Sequence, residues 1–344
     1  MSSLVEQVAR LRQQKKEIII VSSGAIAAGR EKLREVQEHK GTPFKQVLAS
    51  VGQGHLMHTY EELFSRHGIT IAQALLTKAD MSDRSGYLNA RNTLLALIEL
   101  GVICIVNEND VVAIDEIQEL KFGDNDNLSA LVANLVDADL LVLLTDTGGL
   151  YTADPRYTRE AELIHRVDRI DAEIERLATE ATGEQGTGGM ATKIEAAKLA
   201  TSSGTSVIIA DGRETDVLVR ISDGEAIGTL FPPRQSKMES KKRWMLSGLA
   251  SKGKIMVDRG AVLALKEQNK SLLPAGVVKV EGKFQRGDIV DILNGKGDRI
   301  GCGISNYGFD DIAVIKGVHS DRVSSLLGHE YGDEVIHRNN MVLL

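Results

Sequence analysis

Apolar residues recur at helical spacing at Leu4, Val5, Val8 and Leu11, behind Ser2 and Ser3, which suit a helix start. The next apolar run, EIIIV at 17–21, is short and dominated by Ile and Val, and predicts a buried strand. Runs of the same kind follow at GVICIV (101–106), LLVLLT (140–145) and SVIIA (206–210), each separated from the next by at least one helical stretch. Strands that are apolar without alternation are covered on both faces. The strand-and-helix rhythm therefore predicts an α/β fold, with a parallel-rich sheet sandwiched by helices.

The texture changes near Phe231. FPPRQSKMESKKRW combines two prolines with a basic cluster and reads as a linker. Beyond it, short segments such as KIMVD, VVKVEG and DIVDIL are punctuated by Gly at intervals of about ten residues, the pattern of a small β-rich domain. We therefore expect a first domain over residues 1–233, a linker over 234–248 and a second domain over 249–344. The basic run KMESKKRW is better explained as solvated linker than as an RNA contact.

Composition narrows the function classes. Of 344 residues, 42% are hydrophobic but only 4% aromatic, which suits buried parallel strands better than an aromatic-rich sandwich. The net charge of −7 argues against a general polyanion binder. Residues 250–344 hold 13 Lys/Arg against 12 Asp/Glu, so any nucleic-acid contact belongs to that end. Cys104 and Cys302 stand far apart and outside any CxxC spacing, which fits a reducing cytoplasm. The eight histidines show neither HxxxH nor HExxH spacing, so no protein-held metal is expected. No apolar run approaches the ~18 residues of a membrane span, and the charged opening MSSLVEQVARLRQQKKE lacks a signal peptide's apolar core; no membrane association or export is expected.

Four stretches carry candidate chemistry. In IIIVSSGAIAAGR a strand runs into Ser22, Ser23 and Gly24 and then a helix of small residues, a place where backbone N–H groups can approach an anion. An ordinary tight turn has the same sequence. NENDVVAI and FGDNDNLSA contribute Asn107, Asn109, Asp110, Asn125 and Asp126, amide donors and carboxylate acceptors suited to a zwitterionic small molecule. Capping of a helix that begins at Leu128 explains one of the four residues from Asp124 to Asn127, but not all of them. LLTDTGGLYTADP ends a strand in Thr145 and Asp146, where a ribose or phosphate can dock, although a plain Gly turn looks alike. GTGGMATK places Gly186, Gly188 and Gly189 before a helix carrying Lys193 near its first turn. Glycines free the backbone to wrap phosphate oxygens and a Lys supplies charge, but the Walker A spacing is absent; a surface turn is the plainer alternative.

Taken together and in this order, SSGAIAAGR, NENDVVAI, FGDNDNLSA, LLTDTGGLYTADPR and GTGGMATK resemble the amino acid kinase family, in its glutamate-phosphorylating branch, and SLLPAGV with FQRGDIV resembles a C-terminal PUA domain. The resemblance implies an amino acid kinase fold with a small PUA-like domain, and ATP-dependent phosphorylation of the side-chain carboxylate of L-glutamate, the first step of proline synthesis. It implies glutamate contacts at Ser23, Asp110 and Asn125 with Asn107 beside them. It places the ATP site at Thr145, Asp146 and the loop Thr187, Gly188, Gly189, Met190, Ala191, Thr192 and Lys193. Asp126 is similar to the carboxylate that orients the catalytic lysines, and Lys193 to the lysine that neutralises the transferring phosphoryl group, with Mg²⁺ bridging the ATP phosphates. Proline as feedback inhibitor, a homo-oligomer and a glutamyl phosphate reductase as partner are also implied. The polar stretch TKADMSDRSGYLNARNT (77–93), with the loop at 111–122, is a candidate wall of the glutamate and proline pocket; as a plain sequence it reads as a solvated loop entering a helix.

The physics of phosphoryl transfer agrees, because such transfer is accelerated mainly by positioning and by cations facing the equatorial oxygens. No histidine base is needed, since a carboxylate is already ionised at pH 7. The departure from the family is at the start: its members open with a strand and a Lys-Leu-Gly-Ser-like loop that contacts the phosphoryl group, whereas this sequence opens inside the following helix. An internal Met taken as the start is the expectation, a truncated and weakened chain the alternative; one lost transition-state donor costs ~10²- to 10³-fold in rate. Two rival functions remain at this point: RNA binding or regulation through the PUA-like domain on a disabled kinase scaffold, and phosphorylation of aspartate or acetylglutamate. The near-neutral second domain disfavours the first, and its attachment the second.

Overall fold

The computed structural model describes residues 1–33, 42–112, 125–180, 189–234 and 251–344. The expected linker therefore falls outside the described residues except for Arg234, as do Asp124, most of the 111–122 loop, and Gly186, Thr187 and Gly188. By packing, the chain divides into two units, residues 1–82 with 89–237, and residues 83–88 with 238–344.

In chain order the first part comprises α1 (Ser2–Gln13), β1 (Ile19–Val21), α2 (Ala25–Lys32), α3 (Thr42–Ser65), β2 (Ile71–Leu76), α4 (Lys78–Ser82), α5 (Arg84–Glu99) and β3 (Ile103–Glu108). It continues with α6 (Asn125–Leu135), β4 (Leu140–Thr145), α7 (Ala172–Glu180), α8 (Met190–Ser202), β5 (Ser206–Asp211), α9 (Val217–Ser222) and β6 (Thr229–Phe231). Strands β1, β3 and β2 pair in that order, all parallel, with Ile20 opposite Ile105 and Gln73 opposite Ile105 on the other side. A second sheet has the order β4, β5, β6, with β4 and β5 parallel and the short β6 antiparallel at its edge. The fold is thus α/β with parallel pairing dominant, as the apolar runs imply. The strand at 17–21 starts only at Ile19, and the one at 101–106 is shifted to 103–108, because Asn107 and Glu108 continue the ladder with β2. Strands β2 and β6 escape the sequence pattern, being interrupted by Gln73 in one case and only three residues long in the other.

Helices cover both sheets. Val5 and Val8 of α1, Tyr60 and Phe64 of α3 and Ile103 and Ile105 of β3 form one core. Ala196, Ala197 and Ala200 of α8 pack on Val207 and Ile209 of β5 in another. Each buried Ile or Phe stabilises by about 1.5–3 kcal/mol relative to exposure. The stretch 77–93, expected as a loop entering a helix, is already helical from Lys78. Thr77 and Asp80 cap that turn reciprocally, with Thr77 N–H donating to Asp80 Oδ2 at 2.8 Å and Asp80 N–H to Thr77 Oγ1 at 3.2 Å.

The second unit holds β7 (Gly253–Val257), α10 (Arg259–Gln268), β8 (Val277–Gly282), β9 (Ile289–Leu293), β10 (Arg299–Ile304), α11 (Phe309–Ile315), α12 (Val323–Leu327) and β11 (Met341–Leu343). Its five-stranded sheet runs β11, β10, β9, β7, β8, antiparallel except for the β7–β9 pair. Ile255, Val257, Leu265, Val290, Ile292 and Tyr307 fill its core. Buried Asp288 accepts from the Gln285 N–H at 2.9 Å and pairs with Lys252 at 2.9 Å. Burial opposes its charge, but these partners outweigh it and hold the carboxyl below its usual range. Among the described residues no helix is long and apolar enough to cross a membrane.

Helices α2 and α3 approach each other closely. A Cβ on Gly52 would lie 1.7 Å from the Ala25 carbonyl oxygen, and one on Gly29 would lie 1.8 Å from that of Leu48, so the two helices touch backbone to backbone. We expect Gly52→Ala to force them apart and to cost about 1–3 kcal/mol of stability, read as a lowered thermal midpoint.

Candidate functional site

The site is assembled at the carboxyl ends of parallel strands, beginning where β1 ends. The Ser22 N–H donates to the Val106 carbonyl at 2.9 Å, which carries the β1–β3 pairing one residue past the strand. Gly24 then adopts φ +101°, a left-handed conformation that lets the chain turn at once into α2. Ser22 is thereby buried while Ser23 stays exposed at the turn. The Ser22 Oγ lies 3.1 Å from the Tyr60 hydroxyl.

Strand β3 delivers Asn107, only 2% exposed. Its Oδ1 accepts the Glu108 N–H at 2.9 Å and its Nδ2 donates to Gln53 Oε1 at 2.7 Å. Just beyond, the Asn109 N–H donates to the Leu76 carbonyl at 3.0 Å, and the partly buried Asp110 follows. Burial pushes the Asp110 carboxyl above its ordinary range, against the smaller opposing effect of a backbone hydrogen bond.

Helix α6 starts at Asn125, not at Leu128, so Asn125, Asp126 and Asn127 form its first turn instead of preceding it. That turn tolerates short polar side chains because its N–H groups have no partner within the helix, and a carboxylate there is favoured by the helix dipole. Asn125 Nδ2 donates to the Ser22 carbonyl oxygen and, at 3.2 Å, to Asn107 Oδ1. The next residue faces α8: Asp126 Oδ2 accepts from Lys193 Nζ at 2.9 Å and from Thr192 Oγ1 at 2.9 Å. Lys193 is only 8% exposed. The far end of α6 is fixed by Arg91, whose guanidinium donates to the Leu135 carbonyl and pairs with Asp137 at 2.6 Å.

Gly189 caps α8, and Met190, Ala191, Thr192 and Lys193 are its first four residues. The N–H groups of such a first turn are free to meet an anion, and Lys193 on the same turn adds positive charge. At the end of β4, the Thr145 carbonyl accepts the Gly212 N–H at 2.9 Å and the Asp146 carbonyl accepts from Arg213. Arg213 grips Asp211 at the end of β5, with contacts of 3.0 and 2.7 Å, and this pairing lowers the Asp211 carboxyl below its usual range.

The structure thus ties Asn125 to both Ser22 and Asn107 by direct hydrogen bonds, and Thr192 and Lys193 to Asp126, the two groups being joined through the peptide link between Asn125 and Asp126. Ser23 and Asp110 adjoin the first cluster in sequence. Thr145 and Asp146 form a separate group with Asp211 and Arg213. Thr187 and Gly188 lie outside the described residues. Gln53, Tyr60, Asp211 and Arg213 were not marked by the sequence analysis. The available signals were a Gln between two glycines in α3, and a DGR turn after the SVIIA strand.

Residues 1–211 match the amino acid kinase family and residues 253–327 the PUA domain. Over all of its length the chain is 58% identical to the glutamate 5-kinase of Dehalococcoides mccartyi, covering 92% of that protein. It is 51% identical to the glutamate 5-kinase of Herpetosiphon aurantiacus, over 99% of this chain and 92% of the other. With the glutamate 5-kinase of Moorella thermoacetica it shares 49% identity over 99% of this chain and 88% of the other.

The raised Asp110 carboxyl has a thermodynamic signature. Between the unfolded value, ~3.9, and the higher folded one, the folded state binds more protons, so stability falls as pH rises through that window. We expect Asp110→Asn to abolish this decline: the stability of the variant relative to the natural chain grows across the window and is constant above it. Denaturation midpoints measured across the acid range for both chains test this, and parallel curves would contradict it.

Proposed function

Because the chain belongs to the amino acid kinase family, and its full-length relatives are glutamate 5-kinases, we infer that it transfers the γ-phosphoryl group of ATP to the side-chain carboxylate of L-glutamate, giving glutamyl 5-phosphate and ADP. This is the first step of proline biosynthesis. The observation that carries the assignment of roles is the adjacency of Asn125 and Asp126 on one helical turn: the first belongs to the amide cluster and the second holds Lys193.

In this reading Ser23, Asn107, Asp110 and Asn125 hold the amino acid. Asp110, disfavoured as an anion by burial, gains when an ammonium group arrives beside it. The nucleophile is the ionised side-chain carboxylate, whose oxygen forms the new bond to phosphorus as the bond to ADP breaks. No protein base is required. Lys193, oriented by Asp126 and Thr192, faces the charge on the transferring group, and the N–H groups from Gly189 to Thr192 add donors at the start of α8. Thr145 and Asp146 are assigned to the nucleotide's ribose or phosphate, and Thr187 and Gly188 to its phosphates.

Among the described residues no cluster of three or more His, Cys, Asp or Glu side chains is placed to hold a metal. Mg²⁺ would be carried by the ATP phosphates and would supply positive charge there. Proline, which shares the α-amino and carboxylate groups of glutamate, fits the same amides as an end-product inhibitor. The product is a reactive acyl phosphate, which suits prompt consumption by a glutamyl phosphate reductase in the cytoplasm. A homo-oligomer and a division into a kinase module at 1–233 and a PUA-like module at 249–344, joined by 234–248, complete the proposal.

The test is ATP-dependent formation of an acyl phosphate, trapped as its hydroxamate, with glutamate, aspartate and acetylglutamate compared. We expect turnover with glutamate and a loss of ~10²- to 10³-fold in kcat for Lys193→Met. Equal rates with the three acids, or no glutamate-dependent ADP at all, would overturn the assignment.

A further inference from the structure

Asn125 Nδ2 has two hydrogens, and both are placed: one on the Ser22 carbonyl and one on Asn107 Oδ1. Asn125 can therefore present only its Oδ1, an acceptor, to a bound molecule. Whether it does so depends on two groups that hold the acceptors in place, and both are held from helix α3. On one side the Glu108 N–H can meet only an oxygen, which sets the Asn107 amide; Asn107 Nδ2 is then directed at Gln53 Oε1, 2.7 Å away. On the other side the Tyr60 hydroxyl lies 3.1 Å from Ser22 Oγ, which itself lies 3.3 Å from the Ser23 carbonyl oxygen. Gln53 and Tyr60 are seven residues apart on α3, two turns along one face.

Gln53 carries a further mark. With Oε1 committed to Asn107, its Nε2 is buried and has no hydrogen-bond partner among the described residues. A buried amide donor without a partner is unfavourable, so packing alone would favour a residue that satisfies itself. Its orientation serves Asn107. Tyr60, 4% exposed and stacked on Phe64 with ring centroids 6.3 Å apart, contributes a hydroxyl that core packing does not require.

We propose that Gln53 and Tyr60 are positioning residues, a two-point clamp through which α3 holds the Asn125 amide, by way of Asn107 and Ser22, in the orientation that receives the amino-acid substrate. The proposal rests on the glutamate kinase reading for the identity of that substrate, but the clamp itself does not. Backbone contact of α2 and α3 at Gly29 and Gly52 sets the depth at which α3 delivers both side chains. The clamp acts on amino-acid binding and leaves the nucleotide end untouched.

Two variants remove the contacts with little change of volume, Gln53→Met and Tyr60→Phe. In the full chain each is expected to raise the KM for glutamate about three- to tenfold, with the KM for ATP within twofold of the natural value. Because both arms end on one amide, the double variant should raise it by less than the product of the two single effects. A lowered thermal midpoint with both KM values unmoved, or both KM values moving together, would leave the pair as packing residues and overturn the clamp. A second readout needs no substrate: the side-chain amide protons of Asn125, identified by their loss in Asn125→Asp, should exchange with solvent faster in each single variant. Unchanged exchange overturns the clamp whatever the substrate. Faster exchange in a chain that shows no glutamate-dependent ADP formation would keep the clamp and remove the glutamate assignment instead.

Discussion

The first turn of α6 is the constraint on which the functional end of the first unit depends. Asn125 and Asp126 project about 100° apart around the helix axis, so consecutive residues face different neighbours. One side chain gathers Ser22 from the end of β1 and Asn107 from β3; the other gathers Thr192 and Lys193 from α8. Arg91 holds the opposite end of the helix by the Leu135 carbonyl and the Asp137 carboxylate, so the helix is fixed from behind as well as in front. A shift of this single helix would move the Ser22–Asn107 cluster and the Thr192–Lys193 cluster together.

The Lys193–Asp126 pair shows what such fixing is for. With side chains only 10% and 14% exposed, it is a nearly buried ion pair, and such pairs repay their desolvation poorly as a source of stability. In the proposed function its value lies in preorganisation: an ammonium already desolvated and aimed needs little rearrangement when negative charge develops before it. In the amide cluster burial likewise disfavours the charged form of Asp110.

Much of the fold was legible in the residue pattern. The parallel strands at 140–145 and 206–211, the opening helix and the β-rich second unit all follow from runs of apolar residues and from Gly punctuation. Less was legible at the edges of elements. Asn107 and Glu108 look like loop residues, yet the ladder with β2 extends through them, because strand pairing is decided by the neighbour and not by local propensity. Asn125 to Asn127 look like a cap ahead of a helix, yet they are its first turn.

Chain-local features, namely apolar periodicity, turn glycines and clusters of amides and carboxylates, determined by themselves that this is an α/β protein with a β-rich second part and with polar residues at its strand ends. Only the tertiary structure decided which of those groups touch, that Gln53 and Tyr60 reach them from α3, and that Asp211 and Arg213 close the end of β5 beside Asp146. The reason is physical. Periodicity reports which face of an element is buried, whereas a hydrogen bond between residues 54 or 103 positions apart depends on the packing of helices and strands that no short window of sequence contains.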